Sequence, residues 1–549
     1  MKHRIFILLL VLIIPSFANL LRPGYFPMQD DLQAMRLHQM DKCFRDFQIP
    51  CRWVPDMGYG YGYPQFNYYA PGVYYLGEVF HLVGFQFVDV VKILFIIGFV
   101  LSGIFMYVLV REIFGELPAL VASLFYVYGP VRAVQVYVRG SLSEFWVAVF
   151  FPLVVWAAIK LVKSQKNNHL VLFSLSVGSM FVIHNLLPWF FLPVSLFIAL
   201  FFLPKKNKLK SVTKLFWGIV LAFGLAAFFL IPVFLEIGYV HTETLLGGYF
   251  DYRRHFVSIK QLFLANNWGF GSSDIGSGDE LNLALGLLHW PVAFLGILVL
   301  LAKRKLDGIA KLVIPTSLAF LVFVFLIHSR SHFVWEMFAV LAYLQFPWRF
   351  LVLTNFLLAL LVGISAFYFS ENKKIAFVLV GLVFVFYGSF FAPKDWFPLS
   401  DREKFSGSNW ERQLTISIFD YLPVSASAPP ESKASELPEV LEGEASLLSY
   451  TRGSNFQEGK VVSTGKSLLR IPIFDFPGMV ASVDGYEVPV LNDCRGQKNC
   501  LGLVTIEVPS GEHIVKVRLT DTLPRTLGNV ISLVSLIFLV GIWKKSKSL

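Results

Sequence analysis

The sequence predicts a polytopic α-helical membrane protein with a β-rich domain outside the bilayer, set just before its last helix. Composition points there first. Hydrophobic residues make up 56% of the 549 and charged residues only 15%, with a mean hydropathy of +0.62. Apolar runs of about 20 residues, enough to cross roughly 30 Å of hydrocarbon, recur along the chain. One late polar stretch instead alternates apolar and polar residues with a period of two, which marks half-buried strands.

Taken in order, the apolar runs fall at 5–21, 88–110, 115–131, 142–162, 169–185, 187–203, 214–235, 283–302, 309–328, 350–369, 375–391 and 527–543, about twelve spans. The first follows Lys2, His3 and Arg4 and reaches Ser16-Phe17-Ala18, a pattern that cleaved signal peptides share. Its apolar stretch continues to Leu21 and many spans follow, which favours an uncleaved helix. Alternating the chain from there puts the loops 111–116, 160–168, 205–210, 303–305 and 371–374 and the tail 544–548 on one side, as the positive-inside rule requires. Both termini are then expected in the cytoplasm, with the protein in the cytoplasmic membrane. This topology absorbs the formal charge of +10 left by 47 Lys+Arg and 37 Asp+Glu. There is no basic soluble face and no base-stacking module, so the expected partner is the lipid bilayer and not nucleic acid.

All four cysteines fall on the side opposite the Lys loops, in two locally spaced pairs. An oxidising outer compartment favours the disulfides Cys43–Cys51 and Cys494–Cys500. Zinc ligation is the rival reading, although neither pair has the short C-x2-4-C spacing or a set of His partners.

Three outer segments separate the spans. Residues 22–87 are too long for a simple connector. They include "PCRWVPDMGYGYGYPQFNYYAPGVYYLGEVFHLVG", whose tyrosines, Tyr68 and Tyr69 among them, suit a membrane interface or a sugar-stacking wall. Within this loop, 73–83 fits an interfacial helix. Residues 237–282 carry "HTETLLGGYFDYRRHF" and the Gly/Ser-rich "NNWGFGSSDIGSGDE". The third segment, 392–526, contains the linker-like "PVSASAPPESKASELPE", poorly suited to burial. Strand signals follow in "LLRIPIF" and in "VASVDGYEVPV", with Asp484-Gly485 at a hairpin turn. In "LVTIEVPSGEHIVKVRL", Val504/Ile506/Val508 and Val515/Val517/Leu519 alternate on either side of a Pro-Ser-Gly turn. The expected domains are a transmembrane region at 1–391, an outer linker and β-sandwich-like domain at 392–526, and a final helix with a basic tail at 527–549.

No P-loop, HExxH, GxSxG elbow or strand-associated GxGxxG is present. The candidates for chemistry are ionisable residues gathered at the outer ends of spans, where charge is costly. In "FPMQDDLQAMRLHQM", a helix starting near Gln29 places Asp31, Met35 and His38 on one face. Adjacent Asp30 and Asp31 offer a general base with a hydrogen-bonding or metal-orienting neighbour. The same pair fits a helix start, one aspartate as cap and the other beside the positive helix terminus. In "YVRGSLSEFW", Ser141 and Glu144 have capping-box spacing, which leaves Arg139 free. His184-Asn185, at the outer end of the fifth span, fits a hydrogen-bonded interfacial pair better than a catalyst. Arg349, in "LQFPWRFL", offers a planar fork suited to phosphate, and also the length to snorkel to lipid headgroups. His241, Glu243, Asp251, Arg253 and Arg254 add ionisable groups in the second outer loop.

These stretches, with "PCRWVPDMGYGYGYPQFNYYAPGVYY", resemble the GT-C superfamily of polytopic glycosyltransferases. More closely, residues 1–391 resemble the bacterial and archaeal integral membrane family labelled 6-pyruvoyl-tetrahydropterin synthase-related, whose label implies no soluble pterin-synthase fold here. The tail "FDFPGMVASVDGYEVPV…VPSGEHIVKVRL" is similar to the outer domain of related large membrane proteins. The resemblance implies transfer of a sugar from a polyprenyl-phosphate-linked donor to a glycan, lipid or protein acceptor outside the cytoplasmic membrane. It implies a first-loop carboxylate, Asp31 or Asp30, as the base that deprotonates the acceptor hydroxyl. Asp31 is preferred because it shares the expected helix face with His38. Arg349 and Arg139 would stabilise the leaving phosphate, with Glu144, His38, His184, Tyr68 and Tyr69 as further substrate contacts. Some family members use a divalent cation; this chain has no clear D-x-D set, so no cofactor is assigned and metal stays open. A lipid-linked glycan transporter or flippase is the alternative, but it needs polar residues through the bilayer depth, and these spans carry few. A non-enzymatic cell-envelope assembly protein would act through the β domain.

Overall fold

The computed structural model describes residues 2–276, 279–303, 310–369, 372–416, 420–492, 494 and 500–547. Loop residues 304–305 and 371 and tail residue 548, expected on the Lys-rich side, lie outside the described residues, as do 277–278 of the second outer loop.

The chain is a helical membrane protein with a separate β-sheet domain. Six helices are long and apolar enough to cross a bilayer: Phe87–Phe114, Leu142–Ser164, Lys208–Tyr239, Pro347–Tyr368, Lys373–Phe390 and Leu523–Ser546. Two more spans form if each bent pair counts as one, Glu116–Val127 with Pro130–Val138 at 48° and Leu312–Ile327 with Ser329–Met337 at 90°. The other expected runs hold shorter apolar helices, Arg4–Ser16, Asn167–Ile183, Leu187–Leu200 and His289–Leu301. Six to eight spans by length, among the described residues, stand against the expected twelve. Hydropathy counts apolar residues, whereas length counts continuous helix at about 1.5 Å per residue, so a 17-residue helix reaches only about 26 Å.

Local chemistry explains two of the breaks. Gly115, at φ +89°, stands alone between Phe87–Phe114 and Glu116–Val127 and turns the chain in one residue. At Gly129-Pro130 the proline has no N–H for the preceding helix and sits in the first turn of the next. The chain then widens into a π-helical turn, Val134–Val138. Of the spans, Pro347–Tyr368 is central, with 94% of its apolar window buried, whereas Leu523–Ser546 is peripheral, with 11% buried.

The first outer loop is folded into helices Gln33–Arg45, Gln65–Tyr68 and Gly72–Leu82, with Cys43 and Cys51 disulfide-bonded as expected. Residues 392–416 double back over it. Tyr25 and Phe397 exchange backbone hydrogen bonds of 2.8 and 3.0 Å, and Trp396 Nε1 donates to the Pro23 carbonyl at 2.6 Å. Asp401 caps the span that starts at Phe87, accepting from the Phe87 and Val88 N–H groups at 2.7 and 3.1 Å.

The β-sheet domain is a two-sheet sandwich of nine strands among the described residues. These are β1 (Glu439–Glu442), β2 (Ala445–Arg452), β3 (Phe456–Ser463), β4 (Ser467–Phe474), β5 (Met479–Val483), β6 (Tyr486–Val488), β7 (Leu491–Asn492), β8 (Leu503–Val508) and β9 (Gly511–Leu519). One sheet has the order β1-β4-β8-β7 and the other β2-β3-β9-β5-β6. Asp484 and Gly485, at φ +52° and +84°, make the expected two-residue turn between β5 and β6. The strands flanking the Pro-Ser-Gly turn part company: β8 joins the first sheet and β9 the second, so this turn crosses between layers. Ile471, Ile473, Val504, Ile506, Val515 and Val517 fill the space between them, and Cys494–Cys500 forms the second expected disulfide. Trp53, Tyr61 and Tyr68 of the first outer loop belong to the same apolar core, so loop and sandwich are one packed unit. A buried ion pair fastens that unit to the spans: Arg525 Nε lies 2.9 Å from Glu236 Oε2, with Asn67 Nδ2 donating to the same carboxylate at 3.0 Å.

Candidate functional site

The helix that follows the two aspartates begins at Gln33, not near Gln29, and Leu32 occupies its cap position with no side-chain bond. Neither aspartate caps it, so both carboxylates are released from that role. Their segment is held from outside: the Gln29 N–H donates to the Val138 carbonyl at 3.0 Å and the Asp30 N–H to the Arg139 carbonyl at 2.8 Å. Gly140, at φ +64°, makes this approach feasible, because a Cβ there would lie 2.2 Å from Met28 Sδ.

Asp30 and Asp31 then diverge. Asp30 accepts from Gln33 Nε2 at 2.8 Å and pairs with Arg36 NH1 at 3.2 Å, and its side chain stays 36% exposed. Arg36 lies 4.3 Å above the Tyr69 ring and donates to its hydroxyl at 3.4 Å. Asp31 turns to the returning segment, where Lys404 Nζ meets Oδ2 at 2.6 Å while Oδ1 is buried without a hydrogen bond. Burial pushes the Asp31 carboxyl above its ordinary range, against the pull of Lys404 and Arg412.

Across from Asp30 stands a second charged group. Glu144, 4% exposed, accepts from Arg139 NH1 at 2.6 Å and Gln135 Nε2 at 3.2 Å, and Arg349 Nε lies 3.4 Å from its other oxygen. The expected Ser141–Glu144 capping box is absent, because those three groups take the carboxylate and the Ser141 N–H goes to the Gln135 carbonyl at 2.9 Å. Arg139 lies 4.5 Å above the Trp348 ring, and Arg349 NH1 donates to the Leu344 carbonyl at 2.7 Å. Asp30 and Tyr69 lie within electrostatic range of Arg349. Behind the cluster, fully buried Arg132 donates to Gln135 Oε1 at 2.9 Å and Ser102 Oγ at 3.0 Å.

Asp30, Tyr69, Arg139, Glu144 and Arg349 are thus brought together. His184 also lies within electrostatic range of Glu144, Arg349 and Arg139, whereas His38 and Tyr68 stand apart. His38 stacks 4.6 Å from Phe405, and burial, then Lys42, lower its ring to about 4, so it is neutral at neutral pH. Tyr68 is fully buried against the sandwich, its hydroxyl donating to the Glu236 carbonyl at 2.7 Å, with no surface for a substrate. His184 Nδ1 accepts from the Leu186 and Leu187 N–H groups at 3.1 and 3.3 Å, and Asn185 binds the loop backbone at Tyr68 and Ala70, which fits the interfacial reading. In the second outer loop, Arg253 pairs with Asp251, Arg254 with Asp274 and His241 with Glu243. Sequence reasoning passed over Arg36, Lys404, Gln135 and Arg132. Arg36 sits inside the quoted aspartate stretch but reads as a solvated helix face, and Lys404 lies 373 residues from its partner.

Among the described residues, no group of three or more His, Cys, Asp or Glu side chains is placed to hold a metal ion. Asp30 and Asp31 each face a cation of the protein's own, so the pair does not make a ligand set. No family model matches the sequence, and no curated protein matches it. The expected kinship with 6-pyruvoyl-tetrahydropterin synthase-related proteins therefore has no counterpart in these comparisons. Among solved structures the chain is similar to the arabinofuranosyltransferase AftD from mycobacteria, with 13% identity, a TM-score of 0.45, and coverage of 73% of this chain and 29% of that one.

Proposed function

We propose that this protein is a membrane glycosyltransferase of the GT-C type that uses a polyprenyl-phosphate-linked sugar and works at the membrane face opposite its Lys-rich loops. The observation that carries the reading is the hydrogen bond from the Asp30 N–H to the Arg139 carbonyl. It sets a part-exposed carboxylate beside two arginines clamped on a buried glutamate.

Asp30 serves as the base in preference to Asp31, because it faces that cluster while Asp31 is spent on Lys404. The proton leaves the acceptor hydroxyl for the Asp30 carboxylate as the acceptor oxygen bonds to the anomeric carbon. The bond from that carbon to the phosphate oxygen breaks, and the prenyl phosphate departs as an anion that Arg349 and Arg139 stabilise. Glu144 fixes the direction of both guanidinium groups, and Arg36 does the same for Asp30. Tyr69 supplies a wall for the sugar.

Lipid-linked sugar co-purifying with the protein, identified by mass spectrometry, supplies the substrate for the test. Asp30→Asn is expected to lower transfer by about 100-fold or more, and Asp31→Asn by much less. Full activity in both folded variants would sink the carboxylate-base mechanism. The orientation has its own test: with a cysteine placed at Lys206 or Tyr450, an impermeant thiol reagent should label only the latter from outside. Labelling at Lys206 instead would invert the topology.

A further inference from the structure

At the opposite end of the molecule from the aspartates, three helices that pack on one another bring their lysines into one patch. They are Asn167–Ile183, Lys208–Glu236 and Leu523–Lys547. Named bonds tie their ends together: Gln165 Nε2 donates to the Asn207 carbonyl at 3.2 Å and to Ser211 Oγ at 2.9 Å, and Lys214 Nζ donates to Asn167 Oδ1 at 2.7 Å. Ser546 Oγ bonds to Asn168 Oδ1, which fixes the tail of the last helix to the same corner.

The corner carries exposed Lys163 and Lys166 from one connection and exposed Lys205, Lys206, Lys208 and Lys210 from the next. Lys544 adds a further exposed charge from the tail. None of these seven makes an ion pair among the described residues, and the segments 161–168, 204–214 and 541–549 contain no Asp or Glu. Topology alone does not require this focus: the neighbouring connection 111–116 carries Glu112 and Glu116 beside Arg111, and Glu112 pairs with Lys160 at 3.0 Å. Like charges gathered this closely repel unless counter-charge is supplied. The surroundings say where it comes from. The last helix is 11% buried over its apolar window, so it borders lipid, and Trp543, Phe216 and Trp217 are exposed near the lysines, as side chains at a headgroup boundary are.

We propose that this lysine corner is a docking surface for the phosphate groups of anionic phospholipids in the leaflet it faces. Clusters of four to eight basic residues next to a membrane helix attract such lipids. Lysines, as compact point charges on flexible stems, suit a fluid set of headgroups better than one fixed ligand. The surface is independent of the sugar-transfer reading.

The full-length protein in nanodiscs of equimolar phosphatidylglycerol and phosphatidylcholine tests it, by counting lipids that stay bound after release into mild detergent. Phosphatidylglycerol should be enriched by about fivefold or more, and 0.5 M salt should erase the enrichment. The variant carrying Lys205→Gln, Lys206→Gln, Lys208→Gln, Lys210→Gln and Lys544→Gln should lose it, and the matching Lys→Arg variant should keep it. Equal retention of the two lipids by the unaltered protein would overturn the proposal, as would enrichment that survives in the folded Gln variant. Enrichment lost in both variants alike would also overturn it, since charge is then not the determinant.

Discussion

Two adjacent aspartates with the same chemistry acquire different roles because their neighbours differ. Arg36 and Gln33 hold Asp30 at the rim, whereas Lys404 draws Asp31 under the returning segment. Glu78 gives a cleaner test of environment at this scale. It is fully buried in helix Gly72–Leu82, both carboxylate oxygens lack hydrogen bonds, and burial, then Asp41, push its carboxyl up to about 7. The native state therefore keeps a proton that the unfolded chain has already released. Stability contributed by that proton is present at acid pH, falls as pH rises from about 4.5, and levels off above about 7. The total loss is on the order of 3 kcal/mol. Thermal unfolding between pH 4.5 and 8 should show the slope in the unaltered protein and a flattened one in Glu78→Gln. An unchanged slope would place the titration elsewhere.

At the scale of elements, the approach of the first loop to the π-turn depends on one missing side chain. Gly140 needs a left-handed φ of +64°, and its position leaves Met28 Sδ where a Cβ would collide. Gly140→Ala is expected to displace Met28 to Asp30, to cost about 1–3 kcal/mol, and to lower transfer far more than that loss of stability explains. A variant that keeps full activity would show that Asp30 needs no such placement. Part of this level was legible beforehand. Asp484-Gly485 carries its turn in two residues, and each cysteine pair lies within a short stretch, so local rules found them. The Ser141–Glu144 box failed because the carboxylate goes to Arg139 and Gln135 close by and to Arg349, more than 200 residues away. The count of twelve spans is not confirmed, since hydropathy does not report continuous helix length and Asn167–Ile183, Leu187–Leu200 and His289–Leu301 are short apolar helices.

At the scale of the molecule, pairs distant in sequence hold the parts together, and these left no pattern to read. Arg525 and Glu236, both buried, join the last helix to the middle of the chain, with Asn67 adding the first loop. Removing one partner leaves an uncompensated charge, so Glu236→Gln or Arg525→Met alone should cost about 3–5 kcal/mol. Changing both to well-packed apolar residues should recover much of that, and a double variant no more stable than the singles would argue against a charge origin. Unfolding in detergent provides the comparison. The overall class was legible because hydropathy is summed over the whole chain. The arginine cluster was legible in part, as residues without partners, since Arg139 follows one span and Arg349 starts another, distant in sequence.

The pairing of Asp31 with Lys404 also sets an order of events during synthesis. The first loop reaches its own side of the membrane early, yet its strap lies 373 residues downstream. At roughly 5–20 residues per second, that interval lasts from about 20 s to more than a minute. Through it, Asp31 has no Lys404, the span at Phe87 lacks its Asp401 cap, and the sandwich that buries Tyr68 does not yet exist. The Asp31 side of the loop is fastened late, so a nascent or prematurely ended chain reaches the membrane with Asp30 already held by Gln33 and Arg36 but Asp31 unfastened.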